Sequence, residues 1–186
     1  MWGLREARSN FKLRHYRLCP NLEVIICGSA AGKESARRGH YYADPSNRFW
    51  KTLHTVGLTP TEINPQDDRQ VLEYGIGLTD LVKDEAGRDQ EIKGLSDGEY
   101  LAARLRDLLR KYAPLRFAFN GKGKGGVNHA LGIKASAKLD WGLQPALTDF
   151  PDIQIWIMPD TSGLNGHFCS LRHVWAALAQ DMGRCA

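Results

Sequence analysis

The chain has 186 residues, of which 42% are hydrophobic and 25% are charged, and its formal net charge is +4. These proportions are typical of one globular domain, and they exclude a disordered tail and a low-complexity polymer. Apolar runs such as 24–27 and 155–158 are far shorter than the roughly 20 residues that cross a bilayer. Charged side chains interrupt residues 1–16, so we expect no secretory leader, no membrane partner and a cytoplasmic protein, nucleoid-associated if it binds DNA.

Segments typical of strands and of helices alternate along the chain. The predicted strands are short apolar runs at 22–28, 75–82, 115–120 and 153–158. The predicted helices span 45–56, 64–74, 96–112, 127–131 and 170–182, and the third begins with a capping box at Ser96–Glu99. This order favours an α/β fold: a three-layer α/β/α sandwich with a four- or five-stranded, mostly parallel sheet. We expect one domain over residues 1–186, with a basic segment, 1–20, packed on it or flanking it.

The loops that leave the carboxyl ends of parallel strands form the sites of such folds. Four predicted loops meet this condition: 28–44, 79–84, 120–126 and 159–167. We therefore expect the functional residues to lie in these loops.

Basic residues gather in two stretches of the sequence. Eight lysines and arginines stand against three acids in residues 1–38, and five stand against none in residues 116–138. Such clusters favour a polyanionic partner, with solvated surface charge as the alternative. The four cysteines form no C-x-x-C pair, which favours reduced thiols over an iron–sulfur cluster.

The first loop, Gly28–Ser35, is similar to a phosphate-binding P-loop but departs from it twice. Three residues instead of four separate its glycines, and Glu34 stands where the motif needs a hydroxyl for Mg²⁺. A P-loop-like nucleotide-binding protein is therefore a minor alternative. The chain also lacks any recognisable zinc spacing.

Five segments together resemble the mismatch-specific uracil-DNA glycosylase and thymine-DNA glycosylase family. They are GSAAG at 28–32, YYADPSNRFWK at 41–51, GLTDLV at 77–82, FNGK at 119–122 and MPDTSGLN at 158–165. The resemblance implies an enzyme that flips uracil out of DNA and hydrolyses its N-glycosidic bond, leaving an abasic site. It further implies a monomer without metal or organic cofactor that acts on duplex DNA, above all at U·G mismatches; single strands and other damaged pyrimidines are left open.

The resemblance also assigns the base site, with one departure from the family pattern. Tyr42, with Tyr41 as the second choice, matches the aromatic residue that stacks on the base, and Ser29, Ala30 and Asn120 complete the base-binding set. Ala30 stands where the family has its catalytic asparagine, and Asp80 is the candidate that replaces it. A carboxylate can orient water or stabilise the oxocarbenium-like sugar; the alternative for Asp80 is a turn or helix cap.

The DNA contacts implied by the resemblance are a wedge and a set of phosphate ligands. Leu164, between Gly163 and Asn165, matches the residue that fills the emptied base stack. His167 is expected to be a DNA contact or a structural residue. A binder of deaminated bases without excision activity is the main alternative function, because Ala30 cannot position water. The predicted phosphate-binding residues are Lys33, Ser35, Arg37, Arg38, Lys122 and Lys124.

Overall fold

The computed structural model describes residues 16–184, and a five-stranded sheet runs through its centre. The strands are β1 (Val24–Gly28), β2 (Ile76–Asp80), β3 (Arg116–Asn120), β4 (Gly142–Leu143) and β5 (Gln154–Met158). Their order is β2-β1-β3-β5-β4, and all neighbours are parallel except β4, which runs antiparallel to β5. Most of the basic segment 1–20 lies outside the described residues, as does Cys185.

Helices cover both faces of this sheet. They are α1 (Lys33–Arg38), α2 (Phe49–Thr55), α3 (Gly98–Tyr112), α4 (Gly126–Leu131), α5 (Phe168–Leu171) and α6 (His173–Asp181), with 3-10 segments at Pro65–Tyr74, Lys93–Ser96 and Gly123–Gly125. One hydrophobic core includes Trp50 of α2 and Trp175 of α6, and the other includes Leu105 of α3 and Val127 of α4. The predicted three-layer α/β/α sandwich is therefore confirmed. Within residues 16–184 no helix is long and apolar enough to cross a membrane.

The second helix begins at Phe49, four residues later than the sequence predicts. The Asp44 carboxylate accepts a hydrogen bond from the Ser46 amide at 2.8 Å, and the Asn47 side chain accepts one from the Phe49 amide at 3.0 Å. These side-chain turns replace the first helical turn, because short polar side chains offer the backbone an alternative to helical bonding. Residues 44–48 thus form a turn that leads from the first loop into α2.

Four further differences concern small elements. Asp97, and not Ser96, caps α3, since its carboxylate accepts a hydrogen bond from the Tyr100 amide at 3.1 Å. The predicted loop 28–44 contains the helix α1, and the predicted helix 170–182 is divided into α5 and α6. The strand β4 was not predicted, because two residues are too few to show an alternating pattern.

Candidate active site

Three adjacent strands bring Asp80, Gly28 and Asn120 to one edge of the sheet. Gly28 is in register with Asp80, and Cys27 is in register with Phe119, so Gly28 lies beside Asn120. Neighbouring strands are about 4.8 Å apart, and residues in register on parallel strands point to the same face. The missing side chain of Gly28 therefore leaves a gap between a carboxylate on one side and an amide on the other.

A cleft of about 1070 Å³ opens above this gap. All four predicted loops contribute to its walls, together with residues 87–91, which the sequence did not indicate. Arg37, Arg38, Lys124 and Asn165 do not line it. The predicted site residues that do are Ser29, Ala30, Lys33, Ser35, Tyr42, Asp80, Asn120, Lys122, Gly163 and Leu164.

Asp80 ends β2 at the floor of the cleft and is only 3% exposed. Its Oδ2 accepts a hydrogen bond from the Lys83 ammonium at 3.0 Å. Its Oδ1 lies 2.8 Å from the position that a Cβ atom would take at Gly28, so the carboxylate uses the space that glycine leaves. The main-chain oxygen of Asp80 accepts a hydrogen bond from the Arg104 guanidinium of α3 at 2.8 Å, which fixes the end of the strand.

Tyr42 enters the same gap from the loop that follows α1. Its ring stacks on Phe49, with centroids 3.8 Å apart and planes 21° from parallel, so a base that stacks on Tyr42 must lie on the opposite face. Its hydroxyl is buried near Gly28, and no described group forms a hydrogen bond of ordinary geometry with it. Burial and the negative charge of Asp80 raise the pKa of Tyr42, which keeps the hydroxyl neutral. Tyr42 therefore presents a neutral donor and acceptor to the gap.

Asn120 is held by Thr161, in the loop that follows β5. Its Nδ2 donates to Thr161 Oγ1 at 3.0 Å, and its Oδ1 accepts from the Thr161 amide at 3.1 Å. A side-chain amide has two N–H donors and two acceptor lone pairs, so one of each remains beside the bonds to Thr161, and the Tyr42 hydroxyl lies within reach of this amide. The two bonds fix which end of the amide faces which way, as recognition of a base edge requires.

The loop that carries Leu164 is held by Arg48, a residue that the sequence did not single out as functional. The Arg48 guanidinium donates to the main-chain oxygens of Ser162 at 2.8 Å, Asn165 at 3.3 Å and Gly163 at 3.4 Å. Leu164 itself is 76% exposed at the rim of the cleft. A large apolar side chain thus projects from a loop that is tied to the start of α2.

Two carboxylates that were not among the predicted site residues, Asp89 and Asp160, also line the cleft. Burial raises the pKa of Asp89, and the Ser29 hydroxyl partly opposes this shift. Burial also raises the pKa of Asp160, and the charge of Asp89 adds to that shift. In the part of the chain that the structure describes, no group of three or more His, Cys, Asp or Glu side chains is placed to hold a metal ion.

Comparison with known proteins identifies the family of this fold. The model of the uracil DNA glycosylase superfamily matches residues 15–179 of the chain. The chain belongs to the uracil DNA glycosylase superfamily. Its fold is also similar to the solution structure of a Methanosarcina acetivorans protein provisionally described as a uracil DNA glycosylase, with a TM-score of 0.56. The two sequences are 19% identical, and the match covers 91% of this chain and 96% of that one.

Members of the uracil DNA glycosylase superfamily act on DNA, so the basic residues predicted to bind phosphate need to be accessible. Those near the first loop form ion pairs with acidic side chains. Lys33 donates to Glu91 at 2.9 Å, while Arg37 and Arg38 both bind Glu34. Hydrogen bonds from Arg37 and Arg38 lower the pKa of Glu34 to about 2. Exposed ion pairs of this kind are weak in water, so a phosphate group can replace the carboxylates.

Two predicted phosphate ligands of this superfamily member have other contacts. Ser35 is buried, and its hydroxyl accepts a hydrogen bond from the Ala43 amide at 3.0 Å, so it supports the first loop from below. The Lys122 ammonium lies 3.9 Å from the centre of the Trp141 ring, and burial lowers the pKa of this lysine. These contacts leave Lys33, Arg37, Arg38 and Lys124 as the cations that are freer to meet a DNA backbone.

Proposed function

We propose that this protein is a monofunctional DNA glycosylase that removes uracil from DNA, with Asp80 as its catalytic carboxylate. The observation that carries the proposal is the position of Asp80 at the end of β2, with Oδ1 over the side-chain-free Gly28 and Asn120 on the next strand but one. Membership of the uracil DNA glycosylase superfamily supports the reaction class.

In the proposed reaction a flipped uracil enters the gap with one face toward Tyr42 and its polar edge toward Asn120. Ala30 lines the same cleft but offers only a methyl group, so the positioning of water falls to Asp80. The Asp80 carboxylate accepts a proton from that water while the water oxygen bonds to C1′ and the bond from C1′ to N1 breaks. Uracil leaves with the bonding electron pair, and an abasic site remains.

The finer substrate preference proposed is for U·G mismatches in duplex DNA. The exposed Leu164 supports this proposal, because a wedge is needed only where a base stack must be held open. A single strand needs no wedge, so the rate of uracil excision from it depends on the base site alone. A comparison of the two substrates separates base recognition from duplex opening.

The test of the proposed function is excision of uracil from defined oligonucleotides. The purified protein is incubated with EDTA and duplexes that hold U·G, U·A or T·G, and with a uracil-containing single strand, and abasic sites are then cleaved with alkali. We expect cleavage at uracil, fastest opposite guanine. We expect Asp80→Asn to lower the single-turnover rate by about 10²-fold or more, the scale of acid–base contributions.

Ala30 favours one second candidate, a protein that binds deaminated bases without excising them. That candidate predicts tighter binding to uracil-containing DNA than to normal DNA, with no alkali-sensitive product from any of the substrates. Selective binding without product would refute the glycosylase proposal.

A further inference from the structure

Lys83 lies beside the proposed catalytic carboxylate but outside the cleft. It follows β2 in the chain, and its side chain is only 11% exposed. Its ammonium donates to Asp80 Oδ2 at 3.0 Å and to the Tyr41 hydroxyl at 2.9 Å. The nitrogen also lies 5.0 Å from the centre of the Tyr41 ring and 5.4 Å from that of Tyr16. This lysine is therefore enclosed by aromatic rings and one carboxylate.

A lysine in this place has little access to DNA. It is absent from the residues that line the cleft, and two of its donors are engaged by Asp80 and by the Tyr41 hydroxyl. A buried ammonium is unfavourable unless an opposite charge and hydrogen bonds compensate it, and here Asp80 supplies the charge. The effect is mutual, because the same cation favours the ionised form of the carboxylate.

We propose that Lys83 is a positioning residue for Asp80: its ammonium engages Oδ2 through a charged hydrogen bond, so that Oδ1 faces the gap above Gly28. This inference rests on the proposed function, and it makes that function more specific. It assigns the two carboxylate oxygens different parts, with Oδ2 as the anchor and Oδ1 as the oxygen that meets water.

The other titratable groups that face Asp80 do not replace this cation. Burial raises the pKa of Cys27, of Tyr41 and of Tyr42, so all three are neutral near pH 7. Arg104 is charged, but its guanidinium binds the main-chain oxygen of Asp80 and not the carboxylate. Among residues 16–184, the full positive charge in hydrogen-bond contact with the carboxylate is that of Lys83.

The charge of Lys83 should therefore determine the pH below which the excision rate falls, which is the acid limb of the pH–rate profile. A carboxylate that loses a neighbouring cation holds its proton to higher pH, typically by about one to three pH units. Since the protonated acid cannot take a proton from water, excision by an uncharged variant should begin to fall at a pH that is higher by this amount. Lys83→Arg keeps the charge and should keep the wild-type limb.

The experiment measures single-turnover excision from a U·G duplex between pH 4 and pH 9, with enzyme in excess. The variants are Lys83→Gln, Lys83→Met, Lys83→Arg and Asp80→Asn, and Lys111→Met is the matched control. Lys111 is an exposed lysine in the last turn of α3, close in sequence to the start of β3 and thus at the opposite edge of the sheet. The midpoint of a limb does not depend on the fraction of active enzyme, so a partly unfolded preparation still reports it.

We expect Lys83→Gln and Lys83→Met to move the acid limb up by about one pH unit or more, with Lys83→Arg and Lys111→Met close to wild type. A limb that stays at its wild-type pH in both uncharged variants would overturn the inference while excision by wild type still supports the proposed function. The inference would also be overturned if the acid limb of Lys83→Arg coincided with that of Lys83→Gln. The shape of the lysine side chain, and not its charge, would then account for the effect. Full excision by Asp80→Asn, or none by wild type, would instead refute the proposed function itself.

Discussion

The space above Gly28 can be closed by a single methyl group, and Gly28→Ala is the sharpest perturbation that the site offers. The added Cβ would lie 2.8 Å from Asp80 Oδ1 and 3.4 Å from the Tyr42 hydroxyl. Even a favourable carbon–oxygen contact needs about 3.3 Å, so the carboxylate must retreat by about half an ångström. Gly28 lies within β1, where alanine is compatible with the extended backbone, so the whole effect should arise from this contact.

The expected loss of activity follows from this displacement. A misplacement of about 1 Å can lower a rate by about 10²-fold, so we expect single-turnover excision to fall between about 10-fold and 10²-fold. Overpacking of this kind costs about 1–3 kcal/mol in the free energy of unfolding. For a chain of this size that lowers the melting temperature by about 2–4 °C for each kcal/mol.

The assay compares Gly28→Ala with Gly32→Ala, a matched control in the same loop. A Cβ at Gly32 meets nothing within 4 Å, so the control should excise uracil and melt like wild type. Rates from a U·G duplex with enzyme in excess, together with thermal melts, provide both measurements. Wild-type excision by Gly28→Ala would show that Asp80 Oδ1 is not where the reaction needs it, and equal losses in the two variants would place the effect in the loop backbone.

Four other variants test separate parts of the site. Leu164→Ala should lower excision from duplex more than from a single strand, with an unchanged melting temperature because the side chain is 76% exposed; equal losses on both substrates would refute the wedge. Arg48→Met should remove charged hydrogen bonds worth about 2 kcal/mol in urea denaturation and lower duplex excision; wild-type stability would refute its structural part. Tyr42→Phe should leave the melting temperature the same or higher, because among residues 16–184 the lost hydroxyl makes no hydrogen bond of ordinary geometry, and a clear fall would show that its contact with Asn120 is a stabilising hydrogen bond. Lys33→Met should flatten the slope of log K against log salt by about 0.9 if the lysine meets a phosphate, and an unchanged slope would remove it from the interface.

The sequence was sufficient for the layers of the fold but not for the geometry of the gap. Runs such as 24–28 and 155–158 contain no polar side chain because both faces of their strands are covered, so their pattern predicts buried parallel strands. Periodicity contains no information on register, however, and only register places Gly28 beside Asp80. The sequence predicts a glycine and an aspartate at the ends of two strands, and the contact between them is a property of the sheet.

Local sequence motifs also do not predict residues whose partners lie far away in the sequence. Arg48 was visible only as part of a helix start, yet its partners lie 114 to 117 residues later. Asp89 belongs to a segment without apolar periodicity, which is held in place because the Gly87 amide donates to the Ala31 oxygen. The helix α1 was predicted as a loop, since its sequence KESARR has a single apolar residue and no periodic face.

The hydrogen bonds of Arg48 couple the position of the loop that carries Leu164 to that of the loop that carries Tyr42. The Arg48 amide also donates to the Thr161 oxygen at 2.9 Å, so both ends of this arginine hold the same segment. Arg48 lies six positions after Tyr42, whose ring packs on Phe49 at the start of α2. Transplanting the Leu164 loop into another scaffold would therefore fail without the turn 44–48. An insertion in either loop would alter duplex opening and base stacking together, which leaves little freedom to tune one without the other.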